Sequence, residues 1–191
     1  MEYTFDPLKG VFKKEAIGDP IHQGIEMEKA PPFLRALLVT DGTVTKFLEA
    51  YLWEPIEVKK LFQQEVSLNE DVDWLELSKG SQVLKRQVLL KGGVSRKVYT
   101  FAESLIRLDR LSRVLRQEII KGRLGIGELL RDQRLETYRE MLHYGTEAAG
   151  VLSDPLGIRK QDPLLFRHYR IFTKYRPAIL VTEKFPIAHF L

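Results

Sequence analysis

The residues with chemical potential in this chain are charges placed where apolar side chains belong. In Leu84-Lys85-Arg86-Gln87-Val88-Leu89-Leu90 alternate residues of a strand share a face, so Arg86 travels with Leu84, Val88 and Leu90. In Ile179-Leu180-Val181-Thr182-Glu183-Lys184-Phe185 the same alternation groups Glu183 with Ile179, Val181 and Phe185. An unpaired buried charge costs several kcal/mol. Two opposite charges aimed at a core therefore either form a structural ion pair with each other or are held for a ligand. Arginine keeps its charge, and its planar fork grips a carboxylate bidentately. A glutamic side chain accepts a hydrogen bond when ionised and donates one when protonated, the requirement for proton transfer. Together they suit a small molecule with an acid at one end and a hydroxyl or ether at the other. Glu103, on a face with Tyr99 and Phe101, is a third candidate inward charge, placed either to orient Arg86 or to sit at the sheet edge.

Backbone donors add to this set. A helix starting near Thr43-Val44-Thr45 offers free N–H groups and the positive end of its dipole, and the turn Gly125-Ile126-Gly127 precedes another helix start. A Gly-x-Gly alone is equally an ordinary loop. Other chemistries find no support. The chain has no cysteine, which removes thiolate nucleophiles and disulfides and fits a reducing compartment. Its four histidines, His22, His143, His168 and His189, have neither metal-ligand spacing nor a recognisable triad, and there is no Walker loop or dinucleotide fingerprint. Trp53 and Trp74 read as core or loop anchors.

These residues must be carried by elements, and periodicity supplies most of them. Residues 1–32 are rich in Gly, Pro and charge and read as an irregular arm. Phe33, Leu34, Leu37 and Leu38 recur at helical spacing; Val44, Phe47, Leu48, Tyr51 and Leu52 form one stripe of a second helix that should stop before Pro55. Residues 56–68 contain a strand, 83–90 a second, and Lys91-Gly92-Gly93 turns the chain into a third over 97–106. Leu108, Leu111, Leu115 and Ile119 mark a helix closed by Gly122, and a further helix carries Leu129, Leu130, Leu135 and Met141. The chain ends in a hairpin of 166–173 and 178–185 about the turn 174–177. Hairpins with segregated helices indicate an α+β domain on an antiparallel sheet.

At 191 residues, 44% hydrophobic and 29% charged, the chain is of ordinary single-domain size with globular composition. Its net charge of +4 comes from 30 basic and 26 acidic residues without a block of one sign, which argues against nucleic acid and suits a small anionic substrate. No apolar run approaches the roughly 20 residues of a membrane span, and the N-terminus lacks a leader pattern, so a cytoplasmic protein is expected.

Four segments, in order, resemble the chorismate pyruvate-lyases: Asp41-Gly42-Thr43-Val44-Thr45-Lys46, the strand around Arg86, Leu124-Gly125-Ile126-Gly127, and Leu180-Val181-Thr182-Glu183-Lys184-Phe185-Pro186. The resemblance runs from about residue 33 to the C-terminus. Leu90-Lys91-Gly92 and Ala102-Glu103-Ser104-Leu105-Ile106 are similar to a signature of the family's bacterial and archaeal branch. The resemblance implies a domain over 33–191 with a sheet of about six antiparallel strands and helical flaps over an internal ligand pocket. It implies conversion of chorismate to 4-hydroxybenzoate and pyruvate without cofactor or metal, in aromatic or quinone biosynthesis. It matches Arg86 to a carboxylate-binding arginine, Glu183 to a carboxylate facing the ring's 4-position, and Val44 and Ile126 to residues binding through backbone N–H. Glu103 departs from the ubiquinone-pathway branch, which carries an arginine there near the substrate, and leaves open how the second carboxylate of chorismate is held. The alternative expectation is a non-enzymatic effector-binding domain of the same fold that takes a small carboxylate; the arm before Pro32 is short for the DNA-binding winged helix such regulators carry.

Overall fold

The computed structural model of the chain describes residues 8, 10–13, 30–122 and 124–191. The arm expected over residues 1–32 lies mostly outside them. Six antiparallel strands form one sheet in the order β1-β2-β3-β6-β5-β4. Their ranges are β1 Ile56–Ser67, β2 Gln82–Gly92, β3 Val98–Ile106, β4 Thr137–Ala148, β5 Pro163–Thr173 and β6 Arg176–Pro186. Five helices accompany them: α1 Pro32–Val39, α2 Val44–Leu52, α3 Arg113–Lys121, α4 Ile126–Asp132 and α5 Ser153–Leu156. The α+β class and the six-stranded antiparallel sheet are as expected. No helix among the described residues is long and apolar enough to cross a membrane.

Local chemistry sets the element ends. α1 opens on Pro32, whose missing N–H costs nothing at a first helical position. α2 stops at Leu52, ahead of Trp53 in a left-handed conformation and of Pro55. Ser112 caps α3 by accepting from Leu115 N at 3.2 Å, and Gly122, at φ +67°, closes it. The β5–β6 turn is tighter than expected. Only Lys174 and Tyr175 form it, both at positive φ (49° and 64°), as two-residue hairpins require, and Arg176 and Pro177 already belong to β6.

One segment departs from the sequence reading. The helix expected to carry Leu129, Leu130, Leu135 and Met141 ends at Asp132; Leu135 lies in the connection and Met141 in β4. Met141 and Leu142 are adjacent and both buried, at a register shift against β5. A bulge of this kind erases the period-two pattern that identifies a strand.

The helices cover one sheet face at two ends. Toward one end, Leu115 and Ile119 of α3 and Leu129 and Leu130 of α4 pack on Leu84, Ile106, Ile171 and Ile179. Toward the other, Leu34, Leu37 and Leu38 of α1 and Val44 and Leu48 of α2 pack on Leu90, Tyr99, Leu165 and Phe185. The opposite sheet face is covered in part, where Leu156 of α5 meets Leu89, Phe101 and Leu164. Described residues of the N-terminal arm meet the edge strand β4: Phe12 forms a parallel bridge to Met141, and Lys13 N donates to Met141 O at 3.2 Å.

Candidate active site

Three successive rungs of the sheet point into the space between the two apolar clusters. The first aligns Val88, Ala102, Glu183 and Arg167 across β2, β3, β6 and β5; the second aligns Arg86, Ser104, Val181, Tyr169 and Met141; the third aligns Leu84, Ile106, Ile179, Ile171 and Arg139. Arg86 and Glu183 thus share a face, as alternation required, yet sit on neighbouring rungs and two strands apart.

Glu183 pairs instead with Arg167 beside it. Arg167 Nε donates to Glu183 Oε2 at 2.7 Å, and Tyr169 Oη donates to Glu183 Oε1 at 3.1 Å. The Arg167 guanidinium, wholly buried, also donates to the carbonyls of Leu37, at the end of α1, and Thr40, the latter at 2.7 Å. Burial opposes its charge, but Glu183 and Tyr169 beside it hold it above the usual arginine range. Burial pushes the Tyr169 phenol up, so it stays neutral and donates. Both Glu183 oxygens therefore act as acceptors in a fixed position, and α1 is tied to the same anchor.

Arg86 has a different environment. It is 2% exposed, burial holds it below the usual arginine range, and among the described residues no carboxylate pairs with it. One terminal nitrogen donates to Leu124 O at 2.7 Å, which fixes the loop entering α4, while Nε has no partner. An orphaned donor on a buried cation is an expensive feature unless something else satisfies it.

Arg86, Tyr169 and Glu183 line a cavity of about 60 Å³ with residues 42–45, 125–127 and Arg139. The starts of α2 and α4 form part of its wall. The first intrahelical bonds run from Phe47 N to Thr43 O and from Leu129 N to Gly125 O, so the N–H groups of Val44 and Ile126 have no partner within their helices. The two starts touch at Gly127, where an added Cβ would lie 3.0 Å from the Thr43 side chain. Of the residues singled out in the sequence, Arg86, Glu183, Val44 and Ile126 meet at this one cavity.

Glu103 does not, and its expected place is corrected. It pairs with Gln87 and Thr182 across the strands, on the face away from the cavity. There it accepts from Gln87 Nε2 at 2.5 Å and meets Lys85 Nζ at 3.0 Å. The cavity face of β3 is Thr100, Ala102, Ser104 and Ile106. Phe101, which suggested an inward face, is buried under α5 instead.

Sequence reasoning missed two site residues. Arg167 was legible by the same alternation, on a face with Leu165, Tyr169 and Ile171. Arg139 was hidden in the unrecognised β4.

A family model described as chorismate pyruvate-lyase Rv2949c-like matches residues 38–191. The chorismate pyruvate-lyase of Mycobacterium leprae (strain TN) is 32% identical over 161 residues, covering 84% of this chain and 77% of that protein. Among solved structures, the effector domain of PhnF from Mycobacterium smegmatis is similar in fold, with a TM-score of 0.61, 11% identity and coverage of 76% of this chain and 88% of that one. So is the C-terminal domain of the histidine utilization repressor from Pseudomonas syringae pv. tomato, with a TM-score of 0.55, 12% identity and coverage of 69% and 91%.

Proposed function

The chain belongs to the Rv2949c-like chorismate pyruvate-lyase family, and on that premise we propose that it eliminates pyruvate from chorismate to give 4-hydroxybenzoate, in the cytoplasm and without cofactor or metal. The observation that carries this reading is the buried, carboxylate-free guanidinium of Arg86 on a cavity wall shared with Glu183.

Chorismate carries a carboxylate on a cyclohexadiene ring, an enolpyruvyl ether on one ring carbon and a hydroxyl on the next. In the elimination the ether C–O bond breaks, the hydrogen on the hydroxyl-bearing carbon leaves as a proton, and its electron pair completes the aromatic ring. The departing enol takes up a proton and becomes pyruvate. Aromatisation supplies the driving force, so the protein mainly binds and orients. Arg86, with the N–H groups of Val44 and Ile126, takes the ring carboxylate. Glu183, held by Arg167 and Tyr169, faces the oxygen at the ring's 4-position. Fixing the reactive conformer away from water lowers the barrier by several kcal/mol. The cavity has room for only a few waters at about 60 Å³, so the ring enters as the starts of α2 and α4 move apart.

Incubation with chorismate and detection of pyruvate and 4-hydroxybenzoate tests this directly. Arg86→Ala should lower kcat/KM by about 100-fold or more while still melting cooperatively; full activity in that variant would refute the assignment. The fold likeness to effector domains favours a second reading, a sensor that binds a small carboxylate. Binding of chorismate to the wild type without release of pyruvate would decide for it.

A further inference from the structure

A ligand with two carboxylates needs two cationic receptors, and the cavity wall offers a second one. Arg139 stands on β4, across from Ile171, on a rung otherwise made of Leu84, Ile106, Ile179 and Ile171. It lines the cavity together with Arg86, Tyr169 and Glu183. Its Nε is buried and makes no hydrogen bond, and among the described residues no carboxylate lies within ion-pair distance of it. The contrast with its strand neighbour is informative: Glu140, on the opposite face, is paired with both Arg170 and Lys13. Arg139 also lines a recess beside the cavity, formed by Gly42, Thr43, Lys46, Gly127, Leu130 and Arg131. The side chain thus stands between the interior and the surface, next to the contact where α2 meets α4.

Resting on the function proposed above, we infer that Arg139 is the receptor for the second carboxylate, that of the enolpyruvyl side chain. Arg86 holds the ring acid, Glu183 faces the 4-oxygen, and Arg139 fixes the leaving group on the opposite side of the chamber. The assignment gives the cavity a chemical selectivity. Arg86 and Arg139 line the cavity with one carboxylate, Glu183, which Arg167 already pairs, so a dianion completes the charge balance and a monoanion does not. 4-Hydroxybenzoate keeps only the carboxylate that Arg86 holds, and the released pyruvate leaves from the Arg139 side, nearest the recess. It also removes the need for a cation at position 103, where this chain has Glu103 on the far face.

The test separates the two carboxylates. Arg139→Gln and Arg139→Lys are compared with wild type in KM and kcat for chorismate, in equilibrium binding of chorismate and 4-hydroxybenzoate, and in thermal melting. Loss of a charge-assisted contact predicts a roughly 10- to 100-fold rise in KM for Arg139→Gln, with 4-hydroxybenzoate binding within about twofold of wild type and partial recovery in Arg139→Lys. Unchanged KM and chorismate affinity in Arg139→Gln, or equal weakening of both ligands, would overturn the inference. If the wild type binds chorismate but releases no pyruvate, the lyase reading fails while selective loss of chorismate binding in Arg139→Gln still supports Arg139 as the receptor.

Discussion

The two faces of the sheet handle charge in opposite ways. On the outer face three cations of the inner strands have partners of their own: Lys85 meets Glu103 at 3.0 Å, Lys184 meets Glu147 at 2.5 Å, and Arg170 meets Glu140 at 2.5 Å. All of these side chains keep some contact with water, where ion pairs are cheap to form and contribute little. On the cavity face Glu183 has the guanidinium of Arg167, while among the described residues no carboxylate pairs with the buried Arg86 or the partly buried Arg139. What separates the two faces is not the presence of charge but charge left without a counter-charge at the cavity wall.

The sharpest way to break this contrast is to remove the carboxylate that lines the cavity, Glu183. Glu183→Leu strands Arg167, which is wholly buried, and should cost about 3–5 kcal/mol in denaturant melts. Adding Arg167→Leu should recover much of that loss, because a buried pair replaced whole is nearly neutral; failure to recover would mean that the pair is not the anchor. The next effect lies on the outer face, where His168 is held down to about 4 by burial first and by the neighbouring His143 second. Between that value and its ordinary one near 6.5 the unfolded chain binds the proton more readily than the folded one. Stability is therefore full above about pH 6.5 and falls as pH drops toward 4, by up to about 3 kcal/mol. Melting temperatures across that range should drop less in His168→Gln than in wild type, and parallel curves would assign the acid sensitivity elsewhere. Smallest of all, Glu103→Gln removes an outer-face partner and should change stability by less than about 1 kcal/mol and leave chorismate turnover within about twofold; a larger loss of turnover would put this residue back in the site.

The same contrast explains what the sequence could tell. Around Arg86 and Glu183 the polar Lys85, Gln87, Thr182 and Lys184 alternate with them, so spacing alone puts Arg86 and Glu183 on the covered face. β3 misled because both of its faces are covered: the large side chains Phe101 and Leu105 lie on the outer face, the small Ala102 and Ser104 line the cavity, and Glu103 was drawn to the wrong side by its bulky neighbours. β4 was lost where adjacent buried residues at a register shift imitate helical spacing, and Arg139 was lost with it. Arg167 was within reach, since its strand alternates as plainly as β6 does. What no spacing could reveal is which of the three arginines on the cavity face would take Glu183, because that depends on β5 and β6 lying side by side.

One contact from the N-terminal arm carries a further consequence. Among the described residues the sheet is open, with β1 and β4 at its edges. β1 guards its own with Lys59, Lys60, Glu57 and Glu65 and with an irregularity at residues 60–62. β4 has a guest on its edge: Phe12 bridges to Met141 and sets its ring, tilted, 4.7 Å from that of Tyr144, while Lys13 reaches Glu140 at 2.9 Å. Cutting the arm back past residue 13 would bare the middle of a long ladder edge, the kind of surface that invites strand-to-strand self-association.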